Sequence, residues 1–182
     1  NRTANAVIED GILKIIAKKE SFTDQGYTKQ YTSARLNSKY SFTYGRVEVR
    51  AKLPFGVGTW PAIWTLGKNI NENGGYWDTQ GYGTTGWPAC GEIDIMEHWG
   101  TNQNYVQSAI HTPSSFGGTV NLGGQSIPTA STEFHDYTFV WTPDKLVFSV
   151  DGNIHYTYNP LVKDNTTWPF DADQYLLLNV AI

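Results

Sequence analysis

The stretch G-R-V-E-V-R-A-K-L, Gly45 to Leu53, sets Val47, Val49 and Ala51 against Arg46, Glu48, Arg50 and Lys52. Successive strand side chains point to opposite faces, so this period of two describes a half-buried strand with a charged outer face. The same alternation recurs outward in both directions. Ala6 to Lys18 reads as two short strands around Asp10-Gly11, and Leu146 to Tyr158 as two more around Asp151-Gly152. Asp-Gly suits two-residue hairpin loops because both central residues adopt positive φ. Further strands are expected at Tyr27 to Asn37, Trp60 to Leu66, Gly91 to Glu97, Tyr105 to Thr112, Tyr137 to Thr142 and Gln174 to Ala181. Roughly ten strands, with turns every 8–12 residues and no convincing amphipathic helix, predict an all-β fold: an antiparallel two-sheet β-sandwich. Residues 1–182 are expected to form a single domain. Two stretches, Gly67 to Pro88 and Thr112 to Thr132, lack periodicity and read as long loops, a length usually reserved for function.

Composition narrows the function. Of 182 residues, 40% are apolar, enough for a sizeable core, and 14% are aromatic. Only 16% are charged, against about 25% in an ordinary domain. A net charge of −4 with four arginines argues against nucleic-acid binding, which needs a basic face. No apolar run reaches the roughly 18 residues of a membrane span. Neither nucleic acid nor membrane is therefore an expected partner. Cys90 is the only cysteine, which leaves no internal disulfide and no cysteine-based metal site. Sequons at Asn1 and Asn165 are patterns common by chance. The four histidines are scattered, without zinc-ligand spacing.

The chemistry concentrates in G-E-I-D-I-M-E-H-W-G, Gly91 to Gly100. On a regular strand Glu92 and Asp94 share a face, but the next position on it is Met96, and the third carboxylate comes one residue later, at Glu97. A β-bulge at Ile95-Met96 would bring all three acids to one face, with Ile93 and Ile95 anchored in the core. Three carboxylates so placed repel one another and titrate as a coupled group with at least one raised pKa. Glycoside hydrolysis needs that asymmetry: one carboxylate ionised, another protonated. An exposed acidic strand face or a calcium site would explain the same residues without catalysis.

Here the chain resembles glycoside hydrolase family 16. G-E-I-D-I-M-E is similar to the bulged E-x-D-x-x-E signature of its laminarinases (endo-1,3-β-glucanases), agarases and carrageenases. Tyr44 to Pro54, G-T-W-P-A-I-W-T-L (Gly58 to Leu66) and Y-L-L-L-N-V-A (Tyr175 to Ala181) also resemble laminarinase segments, in family order. The resemblance implies a jelly-roll, concanavalin-like sandwich with a concave substrate groove. It implies a retaining endo-1,3-β-glucanase in which Glu92 is the nucleophile, Asp94 assists it and Glu97 is the acid/base. It further implies that Trp60 and Trp64, about 13 Å apart on one strand face, are sugar platforms. Arg35 and Asn179 would line the groove. Gln107 and His111, at i and i+4, would share a face near the leaving group, with Trp99 as a leaving-side sugar contact.

The resemblance also implies a β-1,3-glucan as partner, a monomer, and a secreted or extracellular location, with periplasmic and cell-surface placements as variants. No cofactor is required. The structural calcium of many family members draws its ligands from chain ends, where this sequence departs from the pattern, so the sequence does not support it. The family's strand before Asn1 and its last D-Y-V-R-V-Y-like strand have no counterpart, so the domain is expected to lack terminal strands at both ends. Two rivals stay open. One is a non-catalytic β-glucan-binding module on the same sandwich. The other is a family member acting on mixed-linkage glucan, agar or carrageenan.

Overall fold

A computed structural model describes residues 2–182; the Asn1 sequon lies outside them, and Asn165 is exposed. Fourteen strands are found among the described residues. They are β1 (Ala6–Glu9), β2 (Ile12–Ile15), β3 (Lys18–Asp24), β4 (Tyr27–Thr32), β5 (Arg35–Phe42), β6 (Gly45–Ala51) and β7 (Trp60–Gly67), then β8 (Glu92–Glu97), β9 (Tyr105–His111), β10 (Leu122–Ser126), β11 (His135–Trp141), β12 (Leu146–Val150), β13 (Asn153–Tyr158) and β14 (Gln174–Ala181). A six-stranded sheet runs β10-β9-β8-β7-β14-β5 and a four-stranded sheet β13-β12-β11-β6, all antiparallel. β1-β2 and β3-β4 are separate hairpins.

The period-two reading holds on the four-stranded sheet. Val47 and Val49 lie opposite Phe139 and Tyr137, and Phe139 also faces Phe148 on β12. Phe139, Phe148 and Tyr156 stack across three strands at centroid distances of 5.3 and 5.6 Å. Burying each such ring contributes about 1.5–3 kcal/mol. Against these pack Ile63, Ile93, Ile95, Met96, Val106 and Ile110 of the six-stranded sheet, forming the sandwich core. The charged residues of β6 stay outside, where Arg50 pairs with Asp136 at 3.1 Å and Arg46 with Glu48.

Both Asp-Gly turns form as expected, with φ of 52° and 74° at Asp10-Gly11 and 50° and 80° at Asp151-Gly152. Gln25-Gly26 adopts the same conformation, with φ of 48° and 82°, and closes the β3-β4 hairpin. Three expectations need correction. The strand expected at 27–37 breaks at Ser33-Ala34 into β4 and β5, which belong to different sheets. The 112–132 loop contains β10, whose Gly123 and Gly124 conceal the alternation from which strands are read. The 67–88 loop carries one helical turn, α1 (Tyr76–Thr79). That loop folds onto the outer face of the six-stranded sheet, where Ile70, Trp77 and Cys90 pack with Leu66, Tyr175 and Leu177 as a second apolar cluster.

Candidate active site

β8 supplies the carboxylates through the expected bulge. Against β7, Trp64 pairs with Asp94 and Ile63 with Met96, which leaves Ile95 as the additional residue. Against β9, the pairing steps from Asp94–Ala109 to Glu97–Gln107, so Ile95 and Met96 together face Ser108. Ile93, Ile95 and Met96 are buried in the sandwich core, and Glu92, Asp94 and Glu97 come out on the opposite face of the sheet.

The site is secluded. Asp94 is 4% exposed and Glu97 8%, and the Glu92 side chain retains 16%. Each glutamate accepts an indole N–H: Trp60 Nε1 donates to Glu97 Oε1 at 3.1 Å, and Trp87 Nε1 to Glu92 Oε2 at 3.0 Å. His111 Nε2 lies 3.2 Å from Asp94 Oδ2 and 3.7 Å from Glu92 Oε1. Burial, followed by repulsion from Asp94, pushes Glu92 up to about 8. Burial, with repulsion from Glu97, raises Asp94 well above the usual carboxylate range. Glu97 is raised by burial too, against the opposing pull of the Trp60 N–H, His111 and Gln107. Near neutral pH such a group holds at least one proton among its members, the state that paired acid and nucleophile chemistry requires.

The remaining expected residues fall into two sets beside these acids. Trp99 stacks on Trp60 at 5.7 Å and 27°, extending the aromatic surface past Glu97. Gln107 reaches Glu97, its cross-strand partner. On the other side, Trp64 donates its indole N–H to Asn179 Oδ1 at 2.7 Å, and the Arg35 guanidinium lies 5.1 Å above the Trp64 ring. Asn179 and Arg35 are themselves cross-strand partners on β14 and β5. All ten residues thus line one sheet face. His111, expected near the leaving group, makes its closest carboxylate contacts with Asp94 and Glu92.

Two residues of the 67–88 loop join the site without a strand pattern to announce them. Glu72 pairs with Arg35 at 3.0 Å and accepts the Tyr175 hydroxyl at 3.5 Å, tying the loop to the sheet. Trp87 bonds Glu92 and packs its ring against His111 at 5.9 Å and Phe116 at 5.4 Å. Its place four residues after Gly83 in a turn-rich loop carries no periodicity; only its proximity to the acidic strand could have drawn attention to it. Glu92, Asp94 and His111 also offer ligand atoms within 4.8 Å of one another, a grouping that spacing along the chain does not reveal.

The family described as Glycosyl hydrolases family 16 matches residues 2–180. The beta-glucanase of Rhodothermus marinus is 41% identical over the whole of this chain, which spans 62% of that protein. The glucan endo-1,3-beta-glucosidase A1 of Niallia circulans is 36% identical, again over the whole chain, which spans 27% of it. Among solved structures, the laminarinase from Flavobacterium sp. UMI-01 superposes with a TM-score of 0.85 at 42% identity, covering all of this chain and 71% of that one.

Proposed function

The chain belongs to glycosyl hydrolase family 16, and from that premise we propose that it cleaves internal 1,3-β linkages of a laminarin-like glucan by a retaining double displacement. The observation that carries this reading is the bulge of β8, which puts Glu92, Asp94 and Glu97 on one secluded face with an indole N–H on each glutamate. Asp94, the most buried of the three, takes the shared proton. Its neutralisation removes the repulsion on Glu92 and, with the Trp87 N–H opposing the burial that raises Glu92, lets Glu92 ionise for attack on the anomeric carbon. Glu97, protonated because it is buried, gives its proton to the departing glycosidic oxygen. The glycosyl–Glu92 ester then forms, and Glu97, now a base, deprotonates the water that releases the product.

The named relatives support the substrate, being a beta-glucanase, a glucan endo-1,3-beta-glucosidase and a laminarinase. The indoles of Trp60, Trp64 and Trp99 would meet the C–H faces of successive sugars. Such a substrate is too large to enter a cell unaided, so the protein would act outside it. A glucan-binding module would have no use for a buried cluster of self-repelling carboxylates.

Azide rescue tests the assignment of roles on an aryl laminarioligosaccharide. Glu92→Ala with azide should yield the α-glycosyl azide and Glu97→Ala the β-glycosyl azide; the opposite pattern would exchange the two roles. Digestion of laminarin, lichenan and agarose by the wild-type protein tests the substrate. Products from laminarin support the proposal, and release from agarose alone would overturn it.

A further inference from the structure

The backbone that aims Glu97 is itself held from the far side of the sandwich, and we propose that Ser108 and His155 are positioning residues that lock the β8 bulge. The inference rests on the reading of Glu97 as acid/base. Inserting a residue between Asp94 and Glu97 takes the Ile95 carbonyl out of register with β9 and leaves it facing Ser108. Ser108 answers it with a side chain: its Oγ, fully buried, donates to Ile95 O at 2.7 Å. The same Oγ lies 2.8 Å from His155 Nε2 on β13, in the opposite sheet.

A hydroxyl has one proton, and here it goes to Ile95 O. His155 must therefore donate, which fixes the Nε2–H tautomer and leaves Nδ1 as an acceptor. Gln125 Nε2 donates to it from β10 at 3.3 Å. Every donor in the run Gln125, His155, Ser108, Ile95 then points the same way, toward the bulge. The run needs a neutral imidazole, and burial holds His155 down to about 4.

Two features of the backbone serve this contact. β13 has a bulge of its own: Tyr156 pairs with Phe148 and Ile154 with Ser149, so His155 is the additional residue and leaves the ladder. Gly123, the cross-strand partner of Ser108, gives β13 room to approach, because a Cβ there would meet Tyr156 ring and Cβ atoms at 2.8–3.0 Å. One bulge thus delivers the side chain that steadies the other.

The test uses four variants: Ser108→Ala and His155→Leu, which break the run, and Ser108→Thr and His155→Gln, which keep a hydroxyl and a donor. In laminarin hydrolysis the first pair should lose kcat by about ten- to a hundredfold, the scale of a small misplacement of a reacting group, with KM little changed. As Glu97 loosens and becomes more solvated, the basic limb of the pH–rate profile should move to lower pH. The second pair should recover most of kcat. Amide exchange at Ile95 to Glu97 should quicken in Ser108→Ala and His155→Leu, and this readout does not depend on activity. A fall in Tm with kcat, pH profile and exchange all as in the wild type would reduce Ser108 and His155 to ordinary core contacts and overturn the proposal. If the wild type left laminarin intact, the functional reading would fail, and exchange at β8 would still decide the lock, unchanged exchange overturning it.

Discussion

Glu92 is half-buried and Glu97 buried, and both are raised, yet the chemistry needs one ionised and one protonated, so their individual hydrogen bonds matter. The Trp87 indole N–H lowers Glu92 against the burial that raises it. Trp87→Phe keeps an aromatic ring against His111 and Phe116 and removes only that donor. Glu92 should then hold its proton to higher pH, so the acidic limb of kcat/KM should move up by a measurable fraction of a pH unit. At a pH on that limb activity should drop several-fold, in keeping with the loss of one hydrogen bond to a charged group. An acidic limb that stays in place would show that the indole does not tune Glu92. Stability carries the same signature. Carboxylates raised in the folded state bind more protons there than in the unfolded chain. Their contribution to stability is therefore greatest at low pH, below the unfolded pKa near 4.5, and falls as pH rises through the folded value, about 8 for Glu92. Glu92→Gln removes that penalty, and its Tm should exceed that of the wild type at pH 8 and approach it near pH 4. Calorimetry at the two pH values checks both.

At the scale of elements, the sequence is legible where side chains alternate and opaque where they do not. Val47, Val49 and Ala51 announce β6, and the misplaced phase of Glu97 announces the bulge, because a missing beat in a period of two has few other physical explanations. β10 is silent, since two of its five residues are glycines. The β3-β4 turn is silent because Gln25 takes the positive φ that Asp10 and Asp151 signal by type. Trp87 and Glu72 are silent for another reason: their roles depend on how an aperiodic loop lies on the sheet, which tertiary packing around Trp77 decides. The glycines that conceal β10 are nevertheless specific. Gly123→Ala should cost about 1–3 kcal/mol, the range for overpacking a filled interior, because the Tyr156 Cβ at 3.0 Å cannot rotate away. Urea unfolding measures it. A loss below a few tenths of a kcal/mol would mean that β13 has room to retreat.

Across the whole molecule the charges are sparse and their placement uneven. Thirteen basic and seventeen acidic residues give a net charge of −4, and three of the acids are gathered in the site, with the Glu72-paired Arg35 as a nearby cation. The rest of the groove offers indoles and amides: Trp60, Trp64, Trp99, Gln107 and Asn179. Such a surface has no long-range attraction for a polymer and recognises it by contact. Encounter with a neutral glucan should therefore be indifferent to salt, whereas a sulfated galactan would be repelled by the acidic site and helped by screening. Between about 0.01 and 1 M salt the Debye length falls from about 30 to about 3 Å. Across that range kcat/KM on laminarin should stay flat. If carrageenan were the substrate instead, kcat/KM would climb steadily with salt, so the salt dependence of the initial rate, read beside the product profiles, separates the two polymers by their charge alone.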